Sequence, residues 1–477
     1  MVGAGPKVHR SPGQTLIVGG GIAGIACALR LAEAGVAVTL LETRKKLGGR
    51  ATSFQDVRSG RWLDNCQHVV LGCCTNYLDL LHRLGAADKI VWHRDQHWIE
   101  AADATGEAGG KRAGRISTIA PGILPAPAHF TGSFLAASFL SPGEKLQIAR
   151  ACSRILRVDR RAHAADNFGA FLRASGQSDR LIGRFWAPIV VSACNLDCDR
   201  VSASVALHVF QEGFLASTAA ADIGVPGVPL LDLYENAQSL IEQSGGRVLF
   251  GHGVESIDES GVTTTALQRI DADTVVCAVP VERVNRLIAP DIRSRDGRFA
   301  RLDEFTHSPI LGVHLLFDRP VMSTLPHAVL VDRQTQWLFR KDREGKSVHA
   351  VISAADQWLP LTEEQIGERV LADVRACLPE ARADSPPALV SVRAVKEKLA
   401  TFAPTPGVEA LRPRATGSSS IILAGDYTDT GWPATMEGAA RSGYSAAAAV
   451  LGLNPHDLLR PSLPVSPLAG FLGLRSA

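Results

Sequence analysis

The stretch that most constrains this chain runs TLIVGGGIAGIACALRLAEAGVAVTLLE, residues 15–42. Thr15–Val18 is a short β-branched run of the kind that forms a buried strand. Gly19, Gly21 and Gly24 follow at G-x-G-x-x-G spacing, with Ala23 inside the motif. Residues 25–34 read as a helix that Gly35 stops, and residues 36–41 as a second buried strand closed by Glu42. Each glycine has its own task. Gly19 permits the tight turn, Gly21 lets a pyrophosphate approach the backbone, and Gly24 lets helix pack on strand. The helix start offers free N–H groups and a partial positive charge to phosphates, and Glu42 stands where an acid accepts from the adenosine ribose. Glycine turns occur in many α/β cores. Strand, helix, second strand and terminal acid in one register specify a dinucleotide site.

Arg44, Lys45 and Lys46 would suit a 2′-phosphate, but Glu42 would repel one, which disfavours NADP. Leu47 is followed by Gly48, Gly49 and Arg50. A nicotinamide domain has no need of that triplet. FAD does, because its longer body runs past the pyrophosphate and suits a bare backbone beside a cation. Arg44 is placed beside the cofactor on the same grounds. Near the C-terminus, residues 421–424 read as a strand, Gly425 and Asp426 as a turn, and residues 433–450 as an Ala-rich helix containing Met436 and Glu437. A helix start aimed at the pyrimidine edge of the flavin would stabilise the charge of its reduced form. Glu437 could bond the flavin or simply favour the helix start.

Together these segments resemble the flavin amine oxidase and phytoene desaturase superfamily. Within it, LDNCQHVVLGC (63–73), FWAPIVVSACNLDCDRVSASVALHVF (185–210), VPGVPLLDLY (225–234) and GDYTDTGWPATMEGAARSGYSAA (425–447) are similar to the hydroxysqualene dehydroxylases of bacterial hopanoid biosynthesis. The resemblance implies an α/β fold: a Rossmann-like, GR2-type FAD-binding domain with a discontinuous α+β substrate domain containing an antiparallel sheet. It places Val254 against the adenine. It also implies an isoprenoid lipid substrate and association with other squalene-pathway enzymes.

Since cofactor elements lie at both ends of the chain, the FAD-binding domain must be discontinuous. The expected layout is a disordered lead-in over 1–14, FAD-binding pieces at 15–75, 245–290 and 415–455, substrate-domain pieces at 76–244 and 291–414, and an apolar tail over 456–477. The segments HLLFDRPV, HAVLVD, QWLFRK and VHAVISAA should supply the antiparallel sheet, with helices from 144–181 and 229–244 roofing it.

Composition narrows the partners. A formal net charge of +2, with basic residues scattered along the chain, gives no footprint for nucleic acid. Nine cysteines, an odd number and several in apolar runs, suit reduced thiols in a cytoplasmic protein. Cys73–Cys74 and Cys194/Cys198 lack a second Cys/His pair at zinc spacing, so no metal site is expected. The first 14 residues lack the apolar core of a signal peptide. Residues 119–140 and the tail are apolar. They read either as capping and tail segments packed on the body or as a peripheral contact with the inner face of the membrane.

Asp64, Asn65, Gln67 and His68 form a polar cluster beside an apolar run. Either they are a satisfied network joining two domains, or they stand at the flavin face with Asp64 or His68 as a general acid. The family reaction, in which hydroxysqualene loses its hydroxyl and takes up a hydride to become squalene, needs such an acid, a π-rich wall and a dry tunnel. Trp432 is the favoured wall residue, with Trp186 and Tyr427 as further candidates. Other readings stay open: an oxidative desaturase of carotenoid type, an amine oxidase, or an escort-type protein that binds prenyl chains without catalysis.

Overall fold

The computed structural model describes residues 13–101 and 114–475. The expected lead-in lies outside the described residues except for Gly13 and Gln14. The Gln14 N–H donates to the Asp273 carboxylate at 2.9 Å.

Five parallel strands form the first sheet, in the order Arg247–Phe250, Val38–Glu42, Thr15–Val18, Thr274–Cys277, Ile422–Leu423. Leu16, Ile17, Leu40 and Val276 are completely buried, each contributing roughly 1.5–3 kcal/mol by leaving water. Thr15–Val18 lies between its successor on one side and a strand from residue 274 onward on the other. Its C-terminal end is therefore a topological switch point, where open α/β sheets bind ligands. The helix begins at Ile22 and runs to Glu33, three residues earlier than its sequence pattern suggests, because Gly21 already acts as its N-cap.

The C-terminal helix runs Met436–Leu451, starting after Pro433 because Thr435 caps it, with its hydroxyl accepting the Gly438 N–H at 3.1 Å. It lies against the Ile22–Glu33 helix at a crossing where a Cβ on Gly443 would sit 2.3 Å from the Ala23 carbonyl oxygen. That close approach brings residues from opposite ends of the chain to one site.

The second large sheet has seven strands, in the order Leu389–Phe402, His307–Phe317, Ser347–Ser353, Trp337–Arg340, His327–Val331, Gln96–Glu100, Ile116–Ile119. It is antiparallel except where His327–Val331 runs parallel to Gln96–Glu100. Leu389–Phe402, the longest strand, is masked in the sequence by its charged residues, which it carries as a half-exposed edge. Helix Glu363–Cys377 covers one face with Ile366, Val370 and Val374, the i, i+4, i+8 stripe of an amphipathic helix.

Two boundaries need correction. Helices Thr75–Arg83 and Ala237–Gln243, expected in the substrate domain, pack instead into the nucleotide-domain core through Tyr77, Leu80, Leu81, Ala237 and Ile241. The Tyr77 and Tyr234 hydroxyls meet at 2.9 Å. Residues 229–244 therefore do not roof the antiparallel sheet. The tail packs on the body, burying Ala469 and Leu474, with the Ser466 N–H donating to Ala216 O at 2.8 Å.

Candidate active site

The loop after the first strand forms a cradle. A Cβ on Gly24 would lie 1.9 Å from the Gly19 carbonyl oxygen, so only glycine allows the helix this close to the turn. A Cβ on Gly21 would meet nothing nearer than Gly49 Cα at 3.9 Å. The space over Gly21 is open, as a diphosphate requires, and no capping side chain occupies the helix start. Glu42 accepts the Gly20 N–H at 2.8 Å and the Arg44 N–H at 2.7 Å, which fixes its carboxylate at the cradle edge. Arg44 Nη1 reaches Gly49 O at 3.4 Å, and Gly48 N–H donates to Gly20 O at 2.9 Å. His252 N–H donates to Glu42 O at 3.0 Å, carrying the chain past the acid toward Val254.

Arg50 and Asp426 meet at 2.6 Å, and Gly425 N–H donates to the Ser442 hydroxyl at 2.8 Å. The first, second and last cofactor segments are thus joined around one space. Ala23 lies in the first helical turn and Met436 at the start of the last helix.

The polar cluster begins at the end of strand Trp62–Asp64 and continues into the irregular chain after it, and its members are hydrogen-bonded within the protein. Asp64 accepts from Ser53 Oγ (2.7 Å), Leu230 N–H (3.0 Å) and Lys341 Nζ (3.0 Å). Burial alone would raise its pKa, but Lys341 and these donors outweigh it and hold the carboxyl below the usual range. Lys341 also donates to Gln67 Oε1 at 3.0 Å, and His314 Nε2 donates to Asp64 O at 2.8 Å. Asn65 Nδ2 donates to Arg50 O at 2.5 Å, bracing the glycine loop. The Nδ1 of His68 donates to Cys66 O at 3.1 Å, and burial pushes the imidazole pKa below its ordinary value.

Beside this strand opens a cavity whose empty space, mouth included, is about 1320 Å³. Most of its wall is hydrocarbon or aromatic, including Val70, Leu71, Ile189, Val209, Trp337 and Phe339. Trp337 is anchored by its indole N–H to Ser192 Oγ at 2.6 Å and stacks on Phe339. Trp432, Pro433 and Met436 close the end nearest the C-terminal helix. The Cys66 thiol also faces the cavity, and burial pushes it up to about 12, leaving it a neutral wall group.

Residues 22–451 match the family model for flavin containing amine oxidoreductases. The chain belongs to that family. Its cofactor is FAD, and it is an FAD-dependent oxidoreductase. It is 25% identical over 464 residues to 15-cis-phytoene desaturase of Synechococcus elongatus, covering 92% of this chain and 96% of that protein. It is 27% identical over 491 residues to zeta-carotene desaturase of Synechocystis, covering 92% and 97%. An oxidoreductase from Methanosarcina mazei superposes with a TM-score of 0.68 at 16% identity, covering 91% of this chain and 99% of that one. Putrescine oxidase superposes at 0.66 and 18%, covering 92% and 99%. These structures establish the fold.

Gly19, Gly21, Gly24 and Glu42 form the cradle, and Arg44, Gly48, Gly49, Arg50, Gly425 and Asp426 are tied to it by the contacts above. Ala23 lies in the first helical turn, Val254 opens the strand Val254–Asp258 and Met436 opens the last helix. The cradle and the residues tied to it are the ones that could hold FAD. Glu437 does not join them. It is wholly buried and accepts from Asn76 N–H (2.9 Å), Tyr77 N–H (2.7 Å) and Asn76 Nδ2 (2.8 Å), clamping the start of the Thr75–Arg83 helix. For Asp64 and His68 the contacts favour the satisfied network over the general acid. Asp64 accepts three hydrogen bonds, and Lys341 with the other donors holds its pKa below the usual range. His68 is held neutral, commits one N–H to Cys66 O, and is not among the residues on the cavity wall. Of the three aromatic candidates only Trp432 faces the cavity. Trp186 is core, bonded to Gln177 Oε1 at 3.0 Å, and Tyr427 is fully buried.

Sequence reasoning missed Lys341, His208 and Glu212. For the latter two a signal existed: a histidine and a glutamate four residues apart in the otherwise apolar run ASVALHVFQEGFL.

Proposed function

We propose that this oxidoreductase acts on a long isoprenoid lipid, and that its reaction is the reductive dehydroxylation of hydroxysqualene to squalene. The observation that carries the reading is the cavity: a largely hydrocarbon-lined space that reaches the start of the C-terminal helix, with Trp432 at that end. Reduced FAD supplies the hydride when bound. The chain's own part is to exclude water from the reacting carbon, hold the isoprenoid arms extended, and present the π face of Trp432 to positive charge as the C–O bond breaks.

The wall fits an amine less well. Lys341, which reaches the flavin-side strand, is tied to Asp64 and Gln67. Of the cavity carboxyls, Glu437 is saturated, and burial raises the pKa of Glu212 toward its neutral form. The 15-cis-phytoene and zeta-carotene desaturase relatives favour a second reading, oxidative desaturation of a polyene on the same scaffold. Incubating the reduced holoenzyme anaerobically with hydroxysqualene separates the two. Squalene formation supports the first reading; no squalene, together with desaturation of phytoene by the oxidised holoenzyme, replaces it with the second.

Loading from an anionic bilayer belongs to the same proposal. Ile123, Leu124 and Leu135 project from the 119–140 segment, and Lys145, bonded to Leu135 O at 2.6 Å, supplies a cation for headgroups. No helix among the described residues is long and apolar enough to cross a membrane.

A further inference from the structure

Among the described residues on the cavity wall, one buried histidine stands out. Gln67, Ser192, Thr435 and Glu437 also face the cavity, and each is hydrogen-bonded within the protein. His208 is different. It is 3% exposed, and neither ring nitrogen meets a hydrogen-bond partner among the described residues. His129 and His349 are left in the same state, but only His208 lies on the wall of this cavity, where a bound ligand could complete the bonding.

The local fold explains how His208 reaches the cavity. It lies on helix Ala203–Phe210, which passes into a wider π turn at Gln211–Leu215. Such turns often mark functional sites. Glu212, four residues on, faces the same cavity. The His208 ring meets Trp432 edge-on, at 4.7 Å between centroids and 82° between planes. Trp432 receives Arg441 over its ring at 5.7 Å. His208 and Trp432 stand between this cavity and a second one, which they also line and which contains Arg160, Glu409, Arg412 and Asp429. Burial, with Arg160, Arg441 and Arg412 nearby, holds the imidazole pKa well below its ordinary value, so His208 is neutral, with one donor and one acceptor nitrogen. Burial raises the Glu212 carboxyl against the pull of Arg160 and Arg441 and a hydrogen bond from Ser462.

We propose that His208 and Glu212 form a hydroxyl-recognition pole in the apolar cavity, selecting a long isoprenoid alcohol over the corresponding hydrocarbon. A hydroxyl needs an acceptor for its proton and a donor for its oxygen. The Glu212 carboxyl oxygen provides the first and the His208 imidazole N–H the second, while the wall receives the chain. The proposal rests on the lipid reading above, and adds the residues that distinguish an oxygenated lipid from a bare one.

The test is equilibrium binding of hydroxysqualene and of squalene to the oxidised holoenzyme, which lacks a hydride to transfer, followed by perturbation of the flavin absorbance. Wild type is expected to prefer the alcohol by about five- to tenfold, the worth of a net hydrogen bond. His208→Phe keeps an aromatic edge against Trp432 and should lose that preference while binding squalene unchanged. Glu212→Leu gives the same readout should His208→Phe fail to retain flavin. Equal affinity of wild type for the two lipids, or a preference that survives both substitutions, overturns the pole. Failure to bind either lipid instead overturns the lipid reading itself.

Discussion

Arg50 Nη2 stands 2.6 Å from Asp426 Oδ1, an ion pair joining residues 376 positions apart in the chain. Arg50 also donates to Ala400 O at 3.0 Å, and Asn65 braces its carbonyl. The pair ties the glycine loop to the C-terminal turn, so cofactor binding and domain assembly share this contact. Asp426 is nearly buried, whereas Arg50 keeps about a third of its side-chain exposure. Asp426→Asn should cost about 1–3 kcal/mol, between the values for exposed and buried pairs. Flavin should also leave the protein more readily. Chemical denaturation of the holoprotein and flavin release by dialysis check both, and an unchanged release rate would remove the pair from the cofactor site.

Gly21→Glu tests the cradle without breaking it. A Cβ at that position meets no atom closer than 3.9 Å, so the polypeptide should fold. The added carboxylate would occupy the space over the helix start and repel a diphosphate. The purified variant should be colourless with an unaltered far-ultraviolet circular dichroism spectrum. A yellow variant would show that the diphosphate lies elsewhere.

Asp64→Asn separates a structural from a catalytic role. The substitution leaves Lys341 near the core with Gln67 as its remaining partner. It should destabilise the fold by about 1–3 kcal/mol and leave the flavin bound. The pH profile of kcat should keep its shape. Loss of a limb of that profile would return Asp64 to the proton path.

How much of this could be read beforehand follows the range of the interactions. The Thr15–Glu42 unit is local in sequence, with strand, turn, helix and acid each specified by near neighbours, and it stands as read apart from shifted ends. Four strands of the seven-stranded sheet, His307–Phe317, His327–Val331, Trp337–Arg340 and Ser347–Ser353, were likewise legible as short apolar runs. The edge strand Leu389–Phe402 was not, because its charged residues belong to an edge facing water on one side. The site was less legible where meaning lies in partners far along the chain. Nothing near Asp64 announces Lys341, which is 277 residues away. Nothing near Glu437 announces the N–H groups of Asn76 and Tyr77. A carboxylate on a promising motif can therefore prove to be a clamp, and the unpartnered His208 emerges only once its surroundings are assembled.

The apolar projection at 119–140 has its own readout. Replacing Ile123, Leu124 and Leu135 together by Ser removes side chains that are at least half exposed or nearly so. Folding stability should change little, because these groups leave little buried contact behind. Co-sedimentation with vesicles containing phosphatidylglycerol should fall several-fold, about 1 kcal/mol or more of burial being lost per side chain. Unchanged co-sedimentation would show that the segment is only a cap.

Acid should weaken the fold before Asp64 is protonated. His314 lies in the large sheet, stacked at 3.9 Å on His349, with its Nε2 proton on Asp64 O. Burial, helped by Lys341 and Arg61 and opposed by that hydrogen bond and the Asp64 charge, lowers its pKa to about 4. His349 is wholly buried and is pushed well below its ordinary value, first by burial and then by His314, Lys341 and His68. In the unfolded chain both would titrate near 6.5. The unfolded state thus binds more protons between those values. The stability these groups contribute is present above about pH 6.5 and is lost as pH falls toward 4, up to ~3 kcal/mol for His314. The Asp64 carboxyl has the same sign but acts lower, as pH falls below about 4. The thermal midpoint should therefore drop between pH 7.5 and pH 5. His314→Asn, which keeps a donor for Asp64 O and removes the titrating ring, should flatten that drop. A midpoint in the wild type that stays level over this range would mean that the stacked pair takes up protons without cost, and that its burial is not what sets its charge.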